Sequence, residues 1–328
     1  HMPHSSAPAR HNCPSRPPAR SFSRRYTRIC TLPLFVCAPL IIGIIRNLQE
    51  YLKANKHILF RHVLNPMRLI YAVFIFFLAL MISAQCQQTE EKWCSKGSDF
   101  VCQGEYAEAI KAFDNALRLD PNYVDAWFGK ATSLALLGKD AEAIKAFDDA
   151  LRLDHNHAGA WFGKGTALVL MGKYAEAIQA YDEAIKIDPN DDMSWYFKGT
   201  AFDSQGEYTE ATKAFDYALR LDPNYADAWF SKGNALASQS KYGEAIQAYD
   251  EAIRLDPLNA DAWYNKGTAL GKQDNPNDAI KAFNEAIRLD PNNAKAAWHN
   301  KGVALEALGR TAEADVAYAK ARELEYTG

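Results

Sequence analysis

The sequence predicts an all-α chain whose C-terminal part, about three quarters of the whole, is a solenoid of stacked helical hairpins. Three observations carry this. Tryptophans stand at Trp93, Trp127, Trp161, Trp195, Trp229 and Trp263, at steps of 34 residues, then at Trp298 after a step of 35, and these are all seven in the chain. Between successive tryptophans lie two apolar runs at helical spacing. A break separates the two runs, and most breaks contain a glycine. A fixed period of this size marks a repeat array in which each unit buries its apolar face against its neighbours. Seven units cover residues 90–123, 124–157, 158–191, 192–225, 226–259, 260–293 and 295–328, with Ala294 as a single added residue.

Within the unit 226–259, Trp229, Gly233 and Leu236 lie three or four apart and form one stripe of a first helix. Ala245, Tyr249 and Ala252 do the same for a second helix. The break falls at the unit's fifteenth position, where Gly104, Gly138, Gly172, Gly206 and Gly309 suit a helix end in the left-handed conformation. Ser240 and Asp274 replace glycine in two units, and Pro276 follows Asp274 where it fits the first turn of a new helix. The second helix is expected to stop at Asp-Pro-Asn, as in Asp120-Pro121-Asn122, because proline has no amide proton to extend the ladder. The tryptophans, at position 4, are expected in the core.

Taken together, tryptophan at position 4, glycine at 8, an aromatic residue or leucine at 11, alanine at 20, an aromatic at 24, alanine at 27 and proline at 32 resemble the tetratricopeptide repeat. The fullest instance is Trp195, Gly199, Phe202, Ala211, Phe215, Ala218 and Pro223. Ala131 departs at position 8, and His155 and Tyr326 depart at position 32. The resemblance implies a right-handed superhelix with a concave groove, and it says nothing of the residues before Glu90.

Charge divides at the same point. Residues 1–89 carry a net +10 and the remainder a net −13. An array this acidic does not suit nonspecific binding to nucleic acid, whose affinity comes from lysine and arginine displacing counterions. Residues 1–30 contain no acid and are rich in arginine, proline and serine, a composition that does not fold alone. Residues 1–66 form a basic leader with one short apolar run, Leu32 to Ile45. A second run, Leu69 to Ser83, follows Met67-Arg68 and precedes Ser83-Ala84, so residues 67–86 read as a signal peptide or membrane anchor with Met67 as a candidate start. A membrane hairpin built from both runs is the rival reading, with Arg46, Lys53, Lys56 and Arg61 on the cytoplasmic side. Ser83-Ala84-Gln85-Cys86 loosely resembles a lipoprotein box, which makes Cys86 a lipidation candidate, although Gln85 is a poor match. Cys94 and Cys102 lie eight residues apart on one expected helix, about 12 Å along it and too far to bridge each other, while a bridge from Cys86 to either stays open.

No residue pattern points to catalysis, a cofactor or a metal. Gly163-Lys164-Gly165-Thr166 lacks the spacing of a phosphate loop and falls inside a helix. His155 and His157 stand two apart in an inter-repeat turn without a third ligand. Asp148-Asp149 and Asp182-Glu183 are expected on solvated helix faces.

The first-helix face is the informative surface. The resemblance implies that ligands meet positions 2, 5, 9, 12 and 13. Position 5 gives Phe128, Phe162, Tyr196, Phe230, Tyr264 and His299, and position 9 gives Thr132, Thr166, Thr200, Asn234 and Thr268. Rings beside hydroxyls suit an extended peptide, although rings at helical spacing also serve packing. Positions 12 and 13 run from Val169 and Leu170 through Asp203 and Ser204 to Lys272 and Glu306. The expected ligand is therefore apolar toward the N-terminal half of the array and basic or neutral elsewhere. The expected function is a non-catalytic scaffold for a protein or peptide, placed outside the cytoplasm, secreted or membrane-anchored. The alternatives are a solenoid that self-associates through uncapped ends, or a recruitment subunit for a separate enzyme such as a glycosyltransferase.

Overall fold

The computed structural model describes residues 89–326 and falls into two compact units that divide between Pro121 and Asn122. The leader, with both apolar runs and Cys86, lies outside the described residues, as do Thr327 and Gly328. Among the described residues there are helices and turns but no strand.

In the first unit, α1 (residues 89–103) and α2 (Tyr106–Leu119) form a hairpin. Helix α2 buries Ala109, Ala112, Phe113, Ala116 and Leu117 along one stripe, and the Phe113 ring rests on Gly97. Cys94 and Cys102 both lie on α1, so the intervening turns hold them apart.

The second unit contains six hairpins. These are α3 (Val124–Leu136) with α4 (Asp140–Leu153), α5 (Ala158–Leu170) with α6 (Tyr174–Ile187), and α7 (Asp192–Ser204) with α8 (Tyr208–Leu221). They continue as α9 (Ala226–Ser238) with α10 (Tyr242–Leu255), α11 (Ala260–Lys272) with α12 (Pro276–Leu289), and α13 (Lys295–Ala307) with α14 (Thr311–Tyr326). Each helix packs on the next, and the first helices of neighbouring hairpins also touch, which is the layering of a solenoid.

Every hairpin turn in this unit uses one device. The residue at position 15 takes a left-handed backbone, with φ of +72° to +77° at Gly138, Gly172, Gly206 and Gly309. Ser240 and Asp274 adopt it too, at +62° and +59°, so the backbone geometry persists where the glycine is lost. The following amide then reaches back five residues, as in Glu207 N–H to the Phe202 carbonyl at 2.9 Å, and closes the helix end.

The turns between hairpins use the aspartate at position 31. The Asp222 carboxylate accepts from the Asn224 amide at 2.9 Å, and Asp154 does the same for Asn156 at 3.0 Å although His155 stands in place of proline. At the last junction the added Ala294 lengthens the turn. There Asp290 accepts from Asn293, three residues on, at 3.2 Å, and Ala294 is buried at the start of α13.

The core is alanine and rings. Position 24 supplies Phe147, Tyr181, Phe215, Tyr249 and Phe283, each 2% exposed or less. Glycine at position 8 makes room for them: a Cβ on Gly199 would stand 2.7 Å from the Phe215 ring. Ala131 fills that room in the α3–α4 hairpin, and there the Phe147 ring lies against Gly163 of the next hairpin, where a Cβ would collide with it.

The tryptophans depart from the expected core position. Trp127, Trp161, Trp195, Trp229, Trp263 and Trp298 are all half-buried. An indole N–H needs an acceptor, and the preceding turn provides one: Trp229 donates to the Pro223 carbonyl at 3.0 Å, Trp161 to His155 at 2.9 Å. That bond, made also by Trp195 and Trp263, holds these four indoles at the seams between hairpins, one edge wet.

Candidate functional site

The first helices bring the position 5 and position 9 residues onto a shared face of the second unit, since α3, α5, α7, α9, α11 and α13 touch in sequence. Most of these side chains are already engaged within the array. Each position 5 ring leans on the buried position 24 ring of its own hairpin: Phe128 on Phe147 at 6.1 Å, Phe162 on Tyr181 at 5.8 Å, Tyr196 on Phe215 at 5.8 Å and Phe230 on Tyr249 at 6.1 Å. Tyr264 meets Phe283 at 6.0 Å and His299 meets Tyr318 at 5.4 Å. His299 is exposed and the other five are half-buried.

The hydroxyls turn inward along their own helices. Thr132, Thr166, Thr200 and Thr268 each donate to the carbonyl four residues back, at 2.9 to 3.1 Å, which uses the hydroxyl proton and leaves only acceptor capacity. Asn234 differs. Its carboxamide oxygen accepts from the Tyr249 hydroxyl at 2.9 Å and from Asn265 of the next hairpin at 2.9 Å. Asn300 likewise donates to the Tyr264 hydroxyl at 3.1 Å. Asn265 and Asn300, at position 6, thus bridge consecutive first helices, a role hidden in the sequence because other units carry serine, glycine or phenylalanine there.

What remains exposed on this side is the end of the first helices. Leu136, Leu137, Leu170 and Met171 are 43%, 44%, 66% and 43% exposed, and they lie on the neighbouring helices α3 and α5 or just beyond them. Farther along, Ser204, Ser238 and Lys272 occupy the corresponding surface. Between α11 and α13 a hollow of about 250 Å³ is lined by Gly267, Thr268, Gly271, Lys272, Asn300 and Val303, among others.

A ladder of charge ties four pairs of consecutive hairpins. The lysine at position 7 binds the position 25 aspartate of the preceding hairpin, as Lys164–Asp148, Lys198–Asp182 and Lys232–Asp216 at 2.6 Å and Lys266–Asp250 at 2.5 Å. The same lysines lie 4.9 to 5.2 Å from the indole centroids of Trp161, Trp195, Trp229 and Trp263. Lys164 of the glycine-rich stretch is thereby a structural residue. Asp148, Asp182 and their neighbours Asp149 and Glu183 are all in ion pairs. His157 caps α5, its Nδ1 accepting from the Ala160 amide at 3.0 Å, and His155 packs edge-on against Trp161. Among the described residues no three histidine, cysteine or acidic side chains gather as a metal would require.

Burial raises several tyrosine hydroxyls. Tyr181 is pushed up to about 12, partly offset by its contact with Thr166, and Tyr249 and Tyr225 are raised further. These are properties of a packed seam.

Comparison with known proteins agrees with this architecture. The tetratricopeptide-repeat models match residues 94–157, 158–191, 196–260, 232–294 and 264–324. Among solved structures, YrrB, described as "a TPR protein with an unusual peptide-binding site", is 26% identical with a TM-score of 0.53, covering 58% of this chain and 98% of that one. A tetratricopeptide repeat protein from Parabacteroides merdae is 17% identical with a TM-score of 0.55, over 72% of this chain and 93% of its own. PilF of Pseudomonas aeruginosa is 20% identical with a TM-score of 0.55, over 63% of this chain and 94% of its own. No curated protein matches the chain.

Proposed function

Because the chain belongs to the tetratricopeptide-repeat family, we propose that it is a non-catalytic scaffold that receives a peptide or protein segment along its first helices. The observation that carries this is the asymmetry of exposed side chains. Leu136, Leu137, Leu170 and Met171 present apolar surface at adjacent helix ends, while the position 5 rings and position 9 hydroxyls are tied into the hairpins. Apolar side chains left in water on one face are where association gains most. The peptide-binding site named for YrrB lends support, since the similarity there is of both fold and sequence. The ligand is an extended segment with apolar anchors over α3 and α5 and basic or neutral residues beyond. The engaged rings act as the rigid wall behind it.

Fluorescence anisotropy with labelled peptides tests this. A peptide with two leucines followed by neutral or basic residues should bind, and Leu136→Ser with Leu170→Ser should weaken it at least tenfold. Tighter binding of peptides with anionic C-termini would sink the proposal.

The leader motivates a location as well. Residues 67–86 have the order of a signal peptide, so the array is exported, either released or held at a membrane through Cys86 or an uncleaved apolar run. No helix among the described residues is long and apolar enough to cross a membrane. Intact mass and N-terminal sequencing of native protein decide this. A mature chain beginning near Gln85 or at a lipidated Cys86 supports export by cleavage, and a mature chain retaining residues 1–66 refutes both the cleavage and a start at Met67.

A further inference from the structure

On the outer side of the second helices, the fourth of the seven repeats breaks a rule that its neighbours keep. At positions 26 and 29 an acid pairs with a base three residues on: Asp149 with Arg152 at 3.6 Å in α4, Glu183 with Lys186 at 2.5 Å in α6, Glu251 with Arg254 at 2.8 Å in α10 and Glu285 with Arg288 at 2.8 Å in α12. In α8 the acid is replaced by Tyr217, while the base, Arg220, remains. No carboxylate among the described residues pairs with Arg220. Its guanidinium carbon lies 3.9 Å from the Tyr217 ring centroid, and that ring stacks on Trp195 at 4.3 Å with 14° between the planes.

The stack borders a hollow of about 470 Å³ lined by Lys213, Asp216, Tyr217, Leu219, Arg220 and Trp229. Tyr217 is 44% exposed and Arg220 is exposed. The other charges there are already matched, Lys213 with Glu210 at 2.7 Å and Asp216 with Lys232 at 2.6 Å. Arg220 is the cation left unmatched among them. Stacking on a ring fixes the guanidinium plane but leaves its N–H edges open, and those edges fit a carboxylate in bidentate fashion. Tryptophan, tyrosine and arginine together are the residues that dominate binding energy at protein interfaces.

We infer that this hollow is a second docking surface, separate from the first-helix face, and that it takes a partner segment carrying a glutamate or aspartate beside an aromatic or aliphatic residue. The chain itself supports the choice of carboxylate. At the same helix position Arg254 and Arg288 bind one through Nε. The repeat that lacks its own acid accepts one from outside. Glu210, Asp216 and Asp222 nearby favour a singly charged group over a phosphate dianion. The side chain next to the carboxylate packs between Tyr217 and Trp229, with Leu219 at the floor.

The test is a titration of the full chain with the blocked tetrapeptide acetyl-Ser-Glu-Phe-Ser-amide, following the Arg220 Nε–H resonance by NMR. A saturable shift is expected in the millimolar range, with at least a tenfold loss of affinity for the Gln-containing analogue. Tyr217→Glu restores the intrahelical pair of the neighbouring repeats and should abolish binding while keeping the fold, read by circular dichroism. Arg220→Gln, followed through the Trp229 indole resonance, should lose binding with the ring stack intact. Leu170→Ser should bind as the parent does, which separates this surface from the first-helix face. Absence of a saturable shift, equal binding of the Gln peptide, undiminished binding by Tyr217→Glu, or tighter binding when phosphoserine replaces the glutamate would each overturn the inference.

Discussion

The junction between α8 and α9 and the junction between α12 and α13 stack the same kind of hairpin with different polar ties. At the first, Lys232 bridges to Asp216 at 2.6 Å and the Trp229 indole bonds the Pro223 carbonyl at 3.0 Å. At the second, Asn284 stands where the aspartate would be, and burial holds the Lys301 ammonium below its ordinary range as it lies over Trp298. The added Ala294 also lengthens the turn. Yet Ala279, Phe283, Ala297 and Ala304 pack there as a continuous core. The solenoid is therefore stacked by small residues and rings. The charge ladder is an addition along its edge, consistent with the small net value of partly exposed ion pairs.

If that is right, the largest effect comes from what the two junctions share. Phe215→Ala and Phe283→Ala, 0% and 2% exposed, should each cost about 3–5 kcal/mol, measured by urea unfolding with hydrogen exchange to localise the loss. A far smaller loss at Phe283 would mean that the last hairpin is held otherwise.

The ladder should separate the junctions. Lys232→Met strands the half-exposed Asp216 and should cost about 1 kcal/mol. Lys301→Met removes a partly desolvated cation that Glu313 attracts only through space, without an ion pair, and should be neutral within about 0.5 kcal/mol or stabilising. Asn284→Asp should move Lys301 back up, visible in an NMR titration of its ε-methylene group. An unchanged titration would show that Lys301 lies beyond the reach of position 25.

A pH scan probes the seam common to the regular hairpins. Tyr181 is raised to about 12 by burial, so its neutral form belongs to the folded state. The unfolded tyrosine loses its proton first, near pH ~10. The stabilisation is therefore intact below that pH and lost as pH rises toward 12. Tyr181→Phe should flatten the alkaline limb of the melting curve, and an unchanged limb would remove Tyr181 from the account.

These contrasts also show what a sequence can reveal. The hairpins were legible because a period of 34 and two apolar stripes leave few alternatives. The face a ring takes was not. Spacing marks Trp229 as apolar, but its N–H needs an acceptor, and the Pro223 carbonyl draws it to the seam. The position 5 rings occupy the expected helix face yet lean on position 24, and the threonines spend their protons on their own helices, which spacing alone does not disclose. Tyr217 was visible only by reading one position across all units, where acids surround it.

The smallest predicted effect sharpens the same lesson at the backbone. Ser240 and Asp274 hold φ of +62° and +59°, where four hairpins of this unit use glycine at +72° to +77°. A side chain in this region costs roughly 1 kcal/mol through crowding of Cβ against the following carbonyl. Aspartate and serine recover part of that by local hydrogen bonding, while glycine gives some back through a more disordered unfolded chain. Ser240→Gly and Asp274→Gly should thus each stabilise by about 0.5 kcal/mol, read as a rise of a degree or two in melting temperature. Asp274→Gly should gain the more, because the turn beside it already has Pro276 to fix the start of α12 and Asn275 to cap it through the Asp278 amide. A loss of stability in both would mean that the side chains, and not the imposed backbone, are what these two turns select.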